Sequence, residues 1–170
     1  MKKLVVFGSL NTDLTIQCDR LPINGETVHG SDFMINVGGK GCNQAIGAAK
    51  SGCKVEFIGG VGDDVFGKGI LDTLRKYKIN TENLQIIKNS PTGTAVITRN
   101  NGDNRIILDS GANYDIDIDK AEKTLEKLAK KGDIFLTQFE NRFDAVKLML
   151  KKAKSLGMYT ILNPAPAQFI

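Results

Sequence analysis

Polar side chains that can hydrogen-bond a ligand follow the ends of several apolar runs. Asn11 and Asp13 come just after the run KLVVFGS. Lys40 and Asn43 follow a glycine pair in NVGGKGCNQA, and Glu140 follows DIFLTQF. In a parallel α/β sheet, ligands bind beyond the carboxyl ends of the strands. These side chains are therefore predicted to share one rim of a sheet.

The mixture of groups suits a sugar, because a sugar hydroxyl both donates and accepts hydrogen bonds. The carboxylates of Asp13 and Glu140 accept hydrogen bonds, and the Lys40 ammonium donates them. The amides of Asn11 and Asn43 do both. A pocket that satisfies several hydroxyls discriminates strongly, since a ligand lacking one hydroxyl leaves a buried partner unpaired.

The glycine pair and its neighbours also have purely structural interpretations. Gly38 and Gly39 carry no side chain, so backbone N–H groups can approach a ligand closely, and the following helix adds partial positive charge. The glycines could equally serve packing. Asn11 and Asp13 could form an Asx turn, and Glu140 could cap the next helix. The prediction of a site depends on the convergence of all these residues.

Other chemical motifs fail in this sequence. The segment GKGCNQ begins a dinucleotide pattern, but Gln44 occupies the third glycine position. The segment GDDVFGKG at 62–69 approaches a P-loop, but Gly69 stands where the hydroxyl ligand of magnesium belongs. His29, the one histidine, lies among polar residues and is predicted to be a surface residue rather than a catalytic base.

Composition restricts the class of protein. The chain has 170 residues, which suits one domain, and 41% are hydrophobic, enough for a substantial core. The net charge of +4 is spread along solvated helix faces such as KAEKTLEKLAKK. A nucleic-acid surface typically shows a concentrated basic stripe with aromatic residues. Nucleic acid is therefore not the predicted partner.

The cysteines and apolar runs predict a cytoplasmic protein. Cys18, Cys42 and Cys53 have neither CxxC spacing nor a nearby histidine pair, which argues against zinc and against a disulfide scaffold. The N-terminal run LVVFGSL is short and is followed by polar residues without an A-x-A cleavage site. No apolar run is long enough to span a bilayer.

The elements alternate between strand and helix. Apolar strands such as KLVVFGS, VEFIGGVG and DIFLTQF are separated by helical segments, and Asp63 or Asp64 is placed to cap the helix in DVFGKGILDTLRKYK. This rhythm predicts an α/β fold, a doubly wound parallel sheet with helices on both faces. Residues 14–37 and 94–110 are strand-like without intervening helices, and the second contains the hairpin signal NNGDN. They predict a small second sheet.

The sequence resembles a known family, the ribokinase-like (phosphofructokinase-B-type) carbohydrate kinases. The matching stretches occur in family order: GSLNTD, LPINGET, NVGGKGCNQA, GGVGDDVFG, PTGTA, SGAN, QFE and LNPAPA. The stretches LNPAPA and SGAN favour its ribose-directed members over fructose- and adenosine-directed ones. The resemblance covers residues 1–170 and implies a Rossmann-like domain with a β-sheet lid, formed by residues 14–37 and 94–110. In this family such lids often pair to form a homodimer.

The resemblance also implies roles for individual residues. Sugar-binding residues carried over by motif are Asn11, Asp13, Gly39, Lys40 and Asn43, with Glu140 as a further contact and Ala95 touching the sugar from the lid. The reaction implied for the complete protein is the ATP-dependent phosphorylation of D-ribose to ribose 5-phosphate. It would use ATP, Mg²⁺ and a monovalent cation.

The resemblance extends to the N-terminal half of such kinases. Their other half carries an N-x-x-E motif, the nucleotide loops, the cation site and a G-A-G-D motif with the general base. We therefore expect this chain to supply the sugar-binding half and to be inactive alone, as a truncated, proteolysed or split protein, with no catalytic residue or metal site of its own. Asp63 in GGVGDD is interpreted as a helix cap rather than the base. Alternatives are a non-catalytic sugar-binding or assembly fragment, a related sugar or nucleoside kinase, and a nucleotide-binding module.

Overall fold

The computed structural model describes residues 2–167. In chain order its elements are β1 (Leu4–Phe7), β2 (Asn11–Gln17), β3 (Ser31–Gly38), α1 (Lys40–Lys50), β4 (Val55–Gly62), α2 (Val65–Lys76), β5 (Leu84–Ile87), β6 (Gly93–Asn100), β7 (Asp103–Asp109), a 3₁₀ turn (Gly111–Asn113), α3 (Ile118–Leu128), β8 (Ile134–Gln138), α4 (Phe143–Ser155) and β9 (Tyr159–Asn163). The strands form two sheets.

The main sheet is parallel and has the strand order β5-β4-β1-β8-β9. Its central strand β1 is apolar on both faces, as a strand covered by helices on both sides must be. Val5 and Phe7 point into one core cluster with residues of α3 and α4. Leu4 and Val6 point into the other cluster with residues of α1 and α2. The predicted doubly wound α/β fold is confirmed.

The second sheet has the strand order β3-β2-β6-β7. Strand β2 runs parallel to β6, whereas β2 with β3 and β6 with β7 are antiparallel. The hairpin between β6 and β7 turns at Asn101 and Gly102, which both have positive φ, 46° and 86°. A two-residue turn of this kind matches the twist of its strands and favours Asn-Gly. We call β2, β3, β6 and β7 the lid sheet.

Asp64 joins α2 to the segment that leads into β6. Its carboxylate caps α2 by accepting from the Gly67 N–H at 2.8 Å. It also accepts from the backbone N–H of Thr92 at 2.8 Å and from the Thr92 hydroxyl at 2.6 Å. The same hydroxyl accepts from the Gly62 N–H at 2.9 Å. The interpretation of Asp63 as the cap is wrong, because Asp63 is exposed and its neighbour Asp64 takes that position.

Replacing Asp64 by Ala is expected to lower the free energy of unfolding at neutral pH by about 2 kcal/mol, because a helix cap and two bonds to Thr92 are lost together. Partial burial raises the pKa of Asp64, but hydrogen bonds from Thr92, Gly67 and Phe66 outweigh burial and lower it. The stabilisation is therefore present above the unfolded pKa, about 3.9, and is lost as pH falls through the lowered folded pKa.

Urea unfolding at a series of pH values measures this effect. The matched control is Asp63→Ala, which removes an exposed carboxylate one residue away and should change stability by less than about 0.5 kcal/mol. Equal losses for the two variants, or a loss for Asp64→Ala that stays constant in acid, would contradict the capping role.

None of the helices within residues 2–167 combines the length and hydrophobicity needed to cross a bilayer.

Candidate functional site

One pocket of about 180 Å³ brings all the sequence-predicted site residues together. It lies where the lid sheet meets the N-terminus of α1 and the end of β8. The predicted residues that line it are Asn11, Asp13, Gly39, Lys40, Asn43, Ala95 and Glu140. Three apolar side chains of the lid sheet, Ile97, Ile106 and Leu108, complete the lining.

Strand β2 carries Asn11 and Asp13 on its pocket side. The two residues are two positions apart, so their side chains share a face. Across the lid sheet, Asp13 pairs with Asn36 on one side and with Ala95 on the other, and Ala95 pairs with Leu108. Because β2 begins at Asn11, both residues lie within a strand and not in the Asx turn considered as an alternative.

The glycine pair permits two close approaches. Gly38 lies beneath the Asp13 carboxylate, and a Cβ at Gly38 would be 2.2 Å from Oδ2 of Asp13. Gly39 has a φ of 91° and precedes α1, and a Cβ there would be 2.9 Å from the carbonyl oxygen of Ser9. A left-handed φ and this crowding both favour glycine. The pair therefore lets the lid sheet and α1 meet at the pocket.

Glu140 holds the N-terminus of α1 to the end of β8. Its Oε2 accepts from the Lys40 backbone N–H at 2.8 Å and from the Ser9 hydroxyl at 2.5 Å. Its Oε1 lies 3.7 Å from Nζ of Lys40. The alternative that Glu140 caps the helix following it is wrong, because the N-cap of α4 is Arg142. A carboxylate at the start of α1 instead satisfies a free N–H and complements the helix dipole.

The negative charge of the Asp13 carboxylate is in an unfavourable environment in the pocket. Burial raises the pKa of Asp13, and the negative charge of Glu140 raises it further. Among residues 2–167, no side chain or backbone N–H donates a hydrogen bond to the Asp13 carboxylate. A half-buried carboxylate without donors is an unfavourable arrangement in the free protein. Ligand hydroxyls would supply the missing donors.

Cys42 is near enough to Asp13 to be affected by its charge, but its thiol is not activated as a nucleophile. Burial, and then the charge of Asp13, raise the pKa of the Cys42 thiol to about 12, so the thiol stays protonated at neutral pH. His29 is exposed, as predicted.

The described residues 2–167 contain no group of three His, Cys, Asp or Glu side chains placed to hold a metal ion. Asp13 and Glu140 are two carboxylates, and Glu140 is already engaged by Ser9 and Lys40. Asp13 alone does not make a magnesium site in residues 2–167, because Mg²⁺ is usually held by one or two carboxylates together with substrate phosphates.

Sequence reasoning missed several residues that shape the pocket. Ser9 donates to Glu140 and accepts from the Gly41 N–H at 3.2 Å, so it joins the β1–β2 connection to α1. Ile97, Ile106 and Leu108 were missed as well. Strand alternation from Ala95 could have found Ile97, since side chains two apart share a face. The cross-strand partners required the register.

Comparison with known proteins identifies the family to which the chain belongs. The family model described as pfkB family carbohydrate kinase matches residues 1–170. A ribokinase of Bacillus subtilis is 39% identical over 168 residues, covering 99% of this chain and 57% of that protein. A ribokinase of Schizosaccharomyces pombe is 38% identical over 174 residues, covering 98% of this chain and 54% of that protein.

A solved structure of Arabidopsis thaliana ribokinase complexed with ribose and ATP aligns with a TM-score of 0.83 and 31% identity. The alignment covers 96% of this chain and 54% of the plant protein. The chain belongs to the pfkB family of carbohydrate kinases. It spans about half the length of the curated relatives that it matches.

Proposed function

We propose that this chain provides the sugar-binding part of an ATP-dependent kinase that converts D-ribose to ribose 5-phosphate. The observation that carries the proposal is the pocket, where two carboxylates, two amides and an ammonium converge beneath apolar lid residues. The polar groups match the hydroxyls of a sugar, and the apolar residues match its C–H faces. The similarity to ribokinases, one of them complexed with ribose and ATP, supports ribose as the sugar.

We propose the following roles for the individual residues, which the pocket lining supports. Asp13 accepts hydrogen bonds from sugar hydroxyls, and Asn11 and Asn43 present amides to them. Lys40 donates, while Glu140 orients Lys40 and contributes an acceptor. Gly39 has no side chain, so the backbone at the start of α1 can approach the sugar closely. Ala95 covers the sugar from the lid sheet. Residues 14–37 and 94–110 act as the lid, which excludes water from the pocket when sugar is bound.

ATP, Mg²⁺ and a monovalent cation belong to the complete enzyme in this proposal. Phosphoryl transfer depends on positioning and on stabilising charge around the transferred group. Residues 2–167 form a sugar pocket, which can position the substrate. The groups that stabilise charge around the transferred phosphoryl group are expected in the rest of a full-length kinase. The 170-residue chain alone is therefore expected to be inactive.

Calorimetric titration with ribose, together with a coupled ATPase assay, tests the proposal. We expect ribose to bind the purified chain and ATP turnover to stay at background. Binding of ATP without binding of ribose would replace the proposal with a nucleotide-binding module. Ribose-dependent turnover at the rate of a complete kinase would overturn the assignment of the catalytic groups to another part of the protein.

A second candidate function, as an assembly fragment, is favoured by a groove of about 320 Å³ between α4 and β9. The groove is apolar, lined by Phe139, Phe143, Val146, Leu150 and Leu162 with two lysines. Strand β9 is an edge of the main sheet, and an unpaired edge readily accepts another strand. A chain that binds no sugar but associates through β9 would favour this function.

We further propose that two copies pair through the outer face of the lid sheet. One apolar row crosses all four strands on this face, formed by Ile35, Leu14, Val96 and Ile107 in register. Ile35 is 57% exposed, Val96 44% and Ile107 76%. A contiguous exposed apolar surface of this kind marks an interaction site. A second copy presents the same row and is the occupant we propose.

Replacing Ile107 by Lys is expected to shift the protein from dimer to monomer, because a charge would be buried within the interface at the β7 end of the apolar row. Sedimentation velocity over a range of protein concentrations measures the shift. Ile86→Lys is the control, since Ile86 is 58% exposed on β5 of the main sheet, away from the lid. A monomeric unsubstituted protein, or identical behaviour of both variants, would refute pairing through this face.

We propose a cytoplasmic location for the protein. Cys18, Cys42 and Cys53 are all free thiols, which suits a reducing compartment.

A further inference from the structure

Three buried asparagines form a chain of hydrogen bonds that ends at the pocket. Asn141 is 1% exposed, Asn113 2% and Asn11 3%. Asn141 follows β8 and donates through Nδ2 to the backbone carbonyl of Asn113 at 3.2 Å. Asn113 ends the 3₁₀ turn and donates through Nδ2 to Oδ1 of Asn11 at 2.8 Å. Asn11 alone of the three lines the pocket.

The orientation of each amide follows from a backbone group that has one possible role. The N–H of Leu10 can only donate, and its partner at 2.9 Å is Oδ1 of Asn113. The other end of the Asn113 amide must then be the NH₂ group. That group donates to the carbonyl oxygen of Leu10 at 3.2 Å and to Asn11. Asn11 is thereby required to turn its oxygen toward Asn113.

The consequence for the pocket is a fixed donor. With Oδ1 of Asn11 engaged, its NH₂ group is the end left for a ligand. Within residues 2–167 this Nδ2 has no hydrogen-bond partner. The neighbouring pocket residue Asp13 offers acceptors without donors. The pocket therefore presents a defined donor and a defined acceptor on the same strand, two residues apart.

We propose that Asn113 is a positioning residue that fixes the amide of Asn11 so that a donor faces the sugar. This inference rests on the proposed sugar-binding function of the pocket and adds a basis for its specificity. A hydroxyl oxygen at this place accepts from Asn11. A sugar that lacks this hydroxyl leaves the NH₂ of Asn11 unpaired in the closed pocket, and a missing hydrogen-bond partner of this kind discriminates strongly between ligands.

The backbone is shaped to accommodate this bond. A Cβ on Gly93, the first residue of β6, would lie 2.3 Å from Oδ1 of Asn11 and 2.3 Å from Nδ2 of Asn113. The hydrogen bond therefore passes directly over a residue without a side chain. Gly93→Ala would push the two amides apart while leaving both of them in the protein.

Asn113→Asp tests the proposal with the least change of shape. One oxygen still accepts from the Leu10 N–H, but the group facing Asn11 becomes an acceptor. The Asn11 amide should then turn over, donate to the new carboxylate, and present an oxygen to the sugar. We expect ribose to bind about 10- to 100-fold more weakly, as for a buried group left with a mismatched partner.

The sugar specificity of the variants distinguishes a positioning role of Asn113 from a general disruption of the pocket. The dissociation constants of ribose and its singly deoxygenated analogues are measured for the unsubstituted protein, Asn113→Asp and Gly93→Ala. The preference for ribose over one particular analogue should collapse in both variants, while the other preferences are retained. Equal weakening for every sugar would overturn the proposal.

A measurement on the unsubstituted protein needs neither a variant nor a sugar. In ¹⁵N-edited spectra, the side-chain NH₂ of Asn113 should exchange slowly with solvent and that of Asn11 rapidly, with ribose then slowing Asn11. Equal protection of both groups without sugar would overturn the proposed orientation. If ribose does not bind at all, the sugar-binding proposal fails, and these exchange rates still decide the orientation of Asn11.

Discussion

Replacing Asp13 by Asn is expected to weaken ribose binding by about 10- to 100-fold, the loss that accompanies removal of a hydrogen bond to a charged group. The carboxylate lies above Gly38 with its two oxygens free of donors from residues 2–167. It can accept from two sugar hydroxyls at once, whereas an amide offers one acceptor and turns an NH₂ toward the second hydroxyl.

The same substitution is expected to stabilise the protein without sugar. Burial, followed by the charge of Glu140, raises the pKa of Asp13. A group with a raised folded pKa contributes stability that is fully present below its unfolded pKa, about 3.9 for Asp, and lost as pH rises through the folded value. At neutral pH the ionised carboxylate therefore destabilises the fold. An uncharged amide of the same shape removes that penalty.

Two measurements on Asp13→Asn check this pair of opposite effects. Calorimetry gives the ribose affinity, and thermal unfolding at a series of pH values gives the stability. The variant should unfold at a higher temperature than the unsubstituted protein at neutral pH, and the gap should close below about pH 4. Asp103→Asn is the control, since Asp103 is exposed on β7 of the same sheet and outside the pocket. Unchanged affinity for Asp13→Asn would remove Asp13 from the site.

Sequence patterning was sufficient to predict the main fold. Val5 and Phe7 alternate with Leu4 and Val6 in a run without polar interruption, and such a run needs cover on both faces. The strand order β5-β4-β1-β8-β9 was not available from the sequence, because pairing partners are far apart in the chain. The order follows from parallel connections that pass over the sheet and back.

The details of the site depended on contacts over long sequence distances. The sequence around Glu140 indicates that this residue begins the next helix. In the structure, however, its carboxylate accepts a hydrogen bond from the N–H of Lys40, 100 residues earlier. No periodicity carries that information. Asp63 and Asp64 are equivalent as helix caps by residue type, and Thr92 distinguishes them by donating to Asp64. The role of Asn113 likewise depends on Leu10, 103 residues away.

In helix α1, replacing glycine by alanine is expected to have opposite effects on stability at two positions, Gly41 and Gly47. Gly41 is buried against the β1–β2 connection, and a Cβ there would lie 2.6 Å from the Ser9 nitrogen and 2.7 Å from Cα of Gly8. Both are backbone atoms, which cannot move aside as a side chain can. At Gly47 in the same helix, a Cβ would meet nothing within 4 Å.

Gly41→Ala is therefore expected to lower the free energy of unfolding by about 3 kcal/mol, the upper range for overpacking a tight contact. Gly47→Ala is expected to raise it by about 1 kcal/mol, because Ala favours an exposed helix position over Gly. Urea unfolding of the two variants measures both. If both variants changed the free energy of unfolding in the same direction, helix propensity, and not the close approach of α1 to β1, would determine the outcome.

Ribose affinity extends the comparison to the pocket. Displacing α1 from Ser9 would break the bonds that Ser9 makes with the N–H groups of Gly41 and Cys42, at 3.2 and 3.0 Å. Lys40 and Asn43 would move with the helix, away from Asp13 on the lid sheet. Gly41→Ala should therefore bind ribose at least about 10-fold more weakly, and Gly47→Ala should bind it normally. A Gly41→Ala protein that is destabilised yet binds ribose normally would show that the start of α1 does not position the sugar.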